Sequence, residues 1–263
     1  MFRLYLELYI NDNRGVTMSL LKVEQLTGGY NKKKIIEGLN FTIERGDVVG
    51  LIGLNGAGKS TTIKHILGIL TPIEGTITLN DVSISKDLSE YRSRLSYIPE
   101  APVLYDELTL KEHIEMTCMA YSIPVDIGME RAQPLLKVFR LSDKIDVLPI
   151  HFSKGMKQKV MIICAFIVEP DIYIIDEPFI GLDPLAIQDL LDLIKRERGM
   201  DRAVLMSTHI LATAESYCNK FLILHEGRQV AFGTIDELRA QLNLAGYSLE
   251  AMYAHIASGV DQS

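Results

Sequence analysis

The residues best suited to chemistry lie together between Gly53 and Thr61. The stretch reads Gly-Leu-Asn-Gly-Ala-Gly-Lys-Ser-Thr and fits the pattern G-x-x-x-x-G-K-[ST] at every position. Glycines let the backbone turn tightly around an anion, so that successive N–H groups point at phosphate oxygens. Lys59 can reach the outer phosphates as a point charge, and the hydroxyl of Ser60 can bind Mg²⁺. The candidate phosphate-binding residues are Gly53, Leu54, Asn55, Gly56, Ala57, Gly58, Lys59, Ser60 and Thr61.

The elements on either side of this loop support the interpretation. Residues 47–52 form an apolar run typical of a strand, and residues 62–70 have helical spacing. A strand, loop and helix in this order place a triphosphate at a helix N-terminus, where the helix dipole is positive. The flanks therefore argue against a glycine-rich turn that fits the pattern by chance.

A second acidic element follows the apolar run Ile172–Ile175, which ends in Asp176 and Glu177. In phosphate-loop enzymes the first acid of such a pair holds Mg²⁺, and the second can orient or deprotonate the attacking water. An ordinary strand end with an acidic turn is the alternative, and the phosphate loop argues against it.

Composition restricts the class of protein. The 263 residues are 48% hydrophobic and 23% charged, which is typical of a globular chain, and the net charge of −7 argues against nucleic acid as a main partner. The three cysteines are far apart and form no C-x-x-C motif, which suits a reducing compartment. No apolar run is long enough to cross a membrane, so we expect any membrane to be reached through a partner chain.

Strand and helix patterns alternate along the chain and predict an α/β fold with a mainly parallel sheet and helices on both faces. Helical spacing without strand signal predicts a helical insertion at about residues 100–168. Strands are predicted at 20–26, 35–43, 47–52, 75–79, 95–99, 172–175, 203–207 and 220–225. Helices are predicted after the phosphate loop and at 109–121, 129–139, 153–168, 184–197, 212–218 and from about 237 onward.

In this order the motifs resemble the ATP-binding subunits of ABC transporters over about residues 18–238. Residues 53–61 match the Walker A loop, and Asp176 with Glu177 matches Walker B and the catalytic glutamate. The other matching positions are Tyr30 for the adenine, Glu100 in the Q-loop, Ser153 and Gly155 in the signature, Asp183 in the D-loop and His209 in the switch. The motifs around residues 97–113 and 153–159 are most similar to the Ecs-type ATPase subunits of bacterial transporters.

Two positions depart from the family pattern. The usual glutamine of the Q-loop is Glu100 here, and its carboxylate either binds Mg²⁺ or points away as loop surface. The usual signature L-S-G-G-Q reads Phe-Ser-Lys-Gly-Met at residues 152–156. Ser153 and Gly155 are retained, so we expect a contact with the γ-phosphate whose strength is altered.

The resemblance implies a P-loop NTPase, RecA-like core with an antiparallel β subdomain and the inserted helical subdomain. It implies ATP and Mg²⁺ as ligands, with Lys59, Glu177 and His209 as catalytic residues and Ser60, Glu100 and Asp176 as metal ligands. It also implies a second ATPase subunit, identical or paralogous, and an integral membrane subunit, with no nucleic acid expected. The chain would then be cytoplasmic and peripheral on the inner face of the cell membrane.

Three questions remain open at this point. A soluble ABC ATPase acting on ribosomes or nucleic acid is the main alternative, and a non-hydrolysing scaffold conflicts with Glu177 and His209. Residues 1–17 are either a true N-terminal arm or an over-extended start of the gene, and residues 239–263 are expected to form a helical C-terminal tail. The transported substrate and its direction belong to the membrane chain.

Overall fold

The computed structural model describes residues 19–31 and 33–258 of the chain. Residues 1–17, for which an N-terminal arm and an over-extended gene start are the two alternatives, lie outside the described residues.

The described strands account for every strand that the sequence predicts and add two short ones. They are β1 (Ser19–Tyr30), β2 (Lys33–Glu44), β3 (Val48–Ile52), β4 (Glu74–Leu79), β5 (Val82–Ser83), β6 (Leu95–Ile98), β7 (Ile172–Asp176), β8 (Ala203–Ser207), β9 (Lys220–His225) and β10 (Arg228–Gly233).

Single helices follow β3, β5, β7 and β8, three helices follow one another between β6 and β7, and two follow β10. They are α1 (Lys59–Ile66), α2 (Leu88–Ser93), α3 (Leu110–Ala120), α4 (Val125–Val138), α5 (Lys154–Phe166), α6 (Pro184–Arg198), α7 (Leu211–Tyr217), α8 (Ile235–Gln241) and α9 (Leu249–Ala257). Helices α3, α4 and α5 form the predicted insertion. No described helix is long and apolar enough to cross a membrane.

The strands form one sheet with the order β5-β4-β1-β2-β10-β9-β3-β8-β7-β6. Strands β9, β3, β8, β7 and β6 run parallel, whereas β1, β2, β4 and β5 pair antiparallel. A single parallel pairing between β10 and β2 joins the two parts. The predicted parallel core and antiparallel β subdomain are both confirmed.

Two hydrophobic clusters cover the two faces of the parallel strands. Along β3, Val48 and Ile52 contact the cluster that includes the helical insertion, while Val49 and Leu51 contact the cluster under α1. Successive side chains of a strand point to opposite faces, so a strand buried on both sides is apolar throughout. The buried runs of β7 and β8 follow the same rule. Both clusters fix the carboxyl ends of these strands, where the candidate site lies.

The structure differs from the sequence predictions at several elements, and it adds strand β5 and helix α2, which were not predicted. Helix α4 begins at Val125 and not at Met129, because exposed apolar side chains at Val125 and Ile127 obscure its first turn. Strand β10 was not predicted, and it returns from β9 through Glu226 and Gly227, both with positive φ. The C-terminal region contains two helices, and the expected border after residue 238 falls within α8.

Candidate functional site

The phosphate loop lies between β3 and α1, as its sequence predicts. Gly58 has a φ of +105°, and a Cβ atom there would lie 2.6 Å from Ile36 Cγ2, so only glycine fits. Lys59 is buried, and its Nζ donates to the carbonyl oxygens of Gly53 at 2.8 Å and Leu54 at 3.5 Å. Nζ also lies 3.9 Å from Glu177 Oε1. The loop therefore holds one cation at the N-terminus of α1, beside the acidic end of β7.

Ser207 holds both acidic residues in place. Its hydroxyl donates to Asp176 Oδ1 at 2.5 Å, and the backbone N–H of Glu177 donates to the same hydroxyl at 3.0 Å. Burial raises the pKa of Asp176, and the charges of Glu100 and Glu177 act in the same direction, while the Ser207 hydrogen bond opposes them. A nearby cation would favour the charged form of Asp176.

Glu177 and His209 form a direct contact at the carboxyl ends of β7 and β8. His209 Nδ1 lies 2.8 Å from Glu177 Oε2, with the histidine largely exposed and the glutamate largely buried. Glu177 has a φ of +46°, an unusual value for a residue other than glycine and one that is often found at functional sites. The pair can orient a water molecule and accept its proton.

Glu100 follows β6. It lines a cavity that also contains Lys59, Ser60 and Glu177. Its charge is one of the causes that raise the pKa of Asp176, and Glu100 itself is exposed. Hydroxyl and carboxylate oxygens from Ser60, Asp176 and Glu100 form a donor set suited to a hard cation such as Mg²⁺. Among the described residues no group of three His, Cys, Asp or Glu side chains could hold a metal by itself.

A cavity of about 430 Å³ brings these residues together. Eight predicted site residues line it: Gly53, Leu54, Asn55, Lys59, Ser60, Glu100, Glu177 and His209. Four further residues line it that the sequence analysis did not select: Ile52, Ile180, Leu211 and Tyr253. Tyr253 comes from the C-terminal helix α9, so no local pattern around the phosphate loop could have identified it. Ser207 was likewise not selected; it ends β8, two residues before His209.

The signature and D-loop residues do not line the cavity but lie against each other. Ser153 caps α5 by accepting the N–H of Met156 at 3.2 Å, and Asp183 caps α6 by accepting the N–H of Ala186 at 2.9 Å. Lys159 Nζ donates to Asp183 Oδ2 at 2.8 Å and lowers the pKa of Asp183. Ser153 is exposed, so its surface is accessible to another chain.

Gly155 of the signature makes a close approach to the D-loop. A Cβ atom at this position would lie 2.5 Å from the carbonyl oxygen of Gly181. The altered signature therefore keeps a glycine where a side chain does not fit.

Tyr30, the predicted adenine-stacking residue, ends β1 outside this cavity. Its hydroxyl accepts a hydrogen bond from Lys64 Nζ at 3.1 Å, which lowers the pKa of Tyr30, and Nζ lies 5.3 Å from the ring centroid. Tyr30 is 41% exposed, and Lys64 of α1 lies over its ring.

Comparisons with known proteins agree with this site. Residues 36–180 match the family model described as ABC transporter. The chain is 54% identical to the ABC-type transporter ATP-binding protein EcsA of Bacillus subtilis strain 168, over 91% of this chain and 97% of that protein. It is 41% identical to YthP of the same strain, an uncharacterized ABC transporter ATP-binding protein, over 88% of this chain and 94% of YthP.

A solved structure of the ATP-binding subunit of an ABC transporter has a TM-score of 0.88 at 51% identity, covering 91% of this chain and 100% of that one. The structure of cbiO1 from Clostridium perfringens, part of the ABC transporter complex cbiONQ, has a TM-score of 0.71 at 25% identity, covering 91% of this chain and 99% of that one.

The chain therefore belongs to the ABC transporter family. Within the family it is an ATP-binding subunit, the part that hydrolyses ATP to power transport. None of these relatives favours the alternative of a soluble ATPase acting on ribosomes or nucleic acid.

Proposed function

We propose that two copies of this chain, or this chain and a paralogue, enclose two ATP molecules between them. One chain contributes the cavity with Lys59, Glu177 and His209, and the other contributes Ser153 and Gly155. The main support is that the exposed signature lies outside the cavity of its own chain, while its Ser153 starts a helix whose N-terminus can bind an anion.

Within one chain each residue has a distinct role in the proposed reaction. The N–H groups of residues 53–61 and the Lys59 ammonium bind the β- and γ-phosphates of ATP. Glu177 accepts the proton of the attacking water, and His209, 2.8 Å from its carboxylate, keeps that carboxylate oriented. Ser60, Asp176 and Glu100 would hold Mg²⁺, which when bound neutralises charge on the phosphates. Tyr30 would stack on the adenine.

The proposed membrane contact is a surface formed by α2, α3 and the loop of residues 100–107, which we call the docking face. A cleft of about 720 Å³ lies between α2 and the end of α3, lined among others by Arg92 and Tyr121. Val103 and Tyr105 in this loop and Met119 near the end of α3 are 73%, 60% and 70% exposed. Large exposed apolar residues of this kind suit an interface. A subunit in the membrane would bind here, which would keep this chain on the inner face of the cell membrane.

The experiment that tests the proposed dimer changes Ser153 in a Glu177→Gln background. Glu177→Gln removes the general base, so ATP should be bound and hydrolysed roughly 10²-fold or more slowly, which stabilises the ATP-bound dimer. Adding Ser153→Asp retains an N-cap for α5, since Asp and Ser cap equally well, but places a carboxylate against the γ-phosphate. Sedimentation should show ATP-dependent dimers for Glu177→Gln and monomers for the double variant.

Ser153→Asn in the same background is the matched control, because it also caps the helix but carries no charge. We expect this variant to dimerise when ATP is added. The affinity of the monomer for ATP should be the same in Glu177→Gln alone and in the two double variants. Dimers of equal stability with Ser153→Asp would contradict the proposed arrangement.

A further inference from the structure

The C-terminal helix α9 reaches the phosphate loop through Tyr253. The backbone N–H of Leu54 donates to the Tyr253 hydroxyl at 2.5 Å, although 199 residues separate the two in sequence. Tyr253 is 7% exposed and lines the same cavity as Lys59 and Ser60. The contact therefore joins the C-terminal region directly to the nucleotide site.

Helix α9 is firmly anchored at its other side. Leu249 and Met252 are fully buried in the hydrophobic cluster shared with the helical insertion. Glu215 of α7 accepts the backbone N–H of Leu249 at 3.1 Å, and Ser248 caps the helix by accepting the N–H of Ala251. The Tyr253 side chain is thus held by a rigid element and not by a loose tail.

Helix α7 connects α9 to the switch histidine. It begins two residues after His209, and its first residue, Leu211, lines the cavity. Helix α9 packs against α7 and against β9, so it links the switch side of the cavity with the phosphate-loop side.

Both polar groups of Leu54 have partners that belong to the cavity. Its N–H is bound by the Tyr253 hydroxyl, and its carbonyl oxygen accepts from Lys59 Nζ at 3.5 Å. Fixing the first peptides of an anion-binding loop before the anion arrives reduces the conformational entropy lost on binding. Burial raises the pKa of Tyr253, and the hydrogen bond from Leu54 opposes that shift.

We propose that Tyr253 is a positioning residue of the nucleotide site, which holds the start of the phosphate loop in the shape that binds ATP. The inference rests on the nucleotide site described above. On this inference, helix α9 contributes to the affinity for ATP. The helix lies outside residues 36–180, the region that matches the family model.

The test is Tyr253→Phe, which keeps the ring and its packing and removes only the hydroxyl. The loss of one hydrogen bond to a loop N–H should raise the KM and the dissociation constant for ATP by about threefold to tenfold. The kcat at saturating ATP should stay within about twofold, because Glu177 and His209 are unchanged. A purely structural tyrosine would lower the melting temperature without this split between KM and kcat.

Tyr247→Phe is the matched control, because it removes a tyrosine hydroxyl from the same region on a side chain that is 43% exposed. It should bind ATP as the unmodified protein does. Lys59→Ala should lose ATP binding, and its failure to do so would contradict the nucleotide site itself. If binding depends on Lys59 but Tyr253→Phe and Tyr247→Phe have the same dissociation constant as the unmodified protein, the inference on Tyr253 is wrong.

Discussion

Glu100 places a third carboxylate beside Asp176 and Glu177 at the edge of the cavity. Its charge is one of the causes that raise the pKa of Asp176, after burial. Two like charges 4 Å apart cost roughly 4 kcal/mol at an effective dielectric constant of 20. The site can therefore tolerate a triphosphate only if a cation lies between the carboxylates and the phosphate oxygens, or if Glu100 turns away.

Glu100→Gln tests which of these holds. If Glu100 is a ligand of Mg²⁺, the substitution should lower the affinity of the site for Mg²⁺. The Mg²⁺ concentration that is optimal for ATP hydrolysis should then rise. It also removes a negative charge facing the triphosphate, so ATP without metal should bind more tightly, by about fivefold for each 1 kcal/mol of repulsion removed. Titrations of Mg²⁺ and of metal-free ATP measure the two effects separately.

Glu107→Gln is the control for this experiment, since Glu107 is exposed in the same loop and does not line the cavity. It should leave both titrations unchanged. Titrations for Glu100→Gln that match those of Glu107→Gln would exclude a role for Glu100 at the metal.

Much of the site follows from local sequence patterns, whereas its long-range partners do not. The phosphate loop and the Asp176–Glu177 pair each lie within a few residues of a buried strand, so spacing alone identifies them. Ser207 and Tyr253 make their contacts across 31 and 199 residues, and nothing in the residues around them distinguishes them from other serines and tyrosines. Such partners become visible only when the strands and helices are assembled.

At the scale of elements, helix α5 connects the signature to the Q-loop. Gln158 lies one turn beyond Ser153 and is fully buried. Its Nε2 donates to the carbonyl oxygen of Pro99 at 3.2 Å, directly before Glu100. A shift of the signature helix would therefore reach the loop that carries Glu100.

Gln158→Leu should destabilise the protein, because the part-buried carbonyl of Pro99 loses its donor. The loss is offset in part because the substitution also removes Gln158 Oε1, a buried acceptor without a partner among the described residues. The expected loss is about 1–3 kcal/mol in the free energy of unfolding, measured by urea denaturation. Gln188→Leu is the control, since Gln188 is exposed on α6 and its side chain donates to Asp192 at 3.0 Å. A surface change of this kind should stay within about 0.5 kcal/mol. Equal midpoints for the two variants would contradict the proposed link.

Strands and helices with many buried residues were predicted from the sequence, whereas those with few buried residues were missed. Strands β8 and β9 were predicted with the observed bounds, because each is an apolar run closed by polar or turn residues. Strand β10 mixes Arg228 and Gln229 with small apolar residues, and its identity comes from pairing with β9. Helix α2 has a single buried residue, Tyr91, too few for a periodic pattern. Elements whose stability comes from neighbours are thus the ones that a local pattern misses.

At the scale of the molecule, the cavity and the docking face lie on separate surfaces joined by rigid elements. The docking face lies at the β6 edge of the sheet, where the Tyr121 hydroxyl donates to the carbonyl oxygen of Leu95. The loop of residues 100–107 belongs to both surfaces, because Glu100 lines the cavity and Val103 is exposed on the docking face. The backbone N–H of Tyr105 donates to His113 of α3 at 3.0 Å, which fixes this loop to the helix beside the cleft.

Met119→Glu tests the docking face in cells. Met119 is 70% exposed at the end of α3, so a charge there costs little folding stability but opposes burial against an apolar partner. We expect the variant to leave the membrane fraction and to lose its co-purifying membrane subunit in mild detergent, while the purified chain binds ATP normally. Tyr247→Glu is the control, because Tyr247 precedes α9, which packs on β9 and is separated from β6 by β3, β8 and β7. It should remain with the membrane, and retention of Met119→Glu at the same level would show that the partner binds elsewhere.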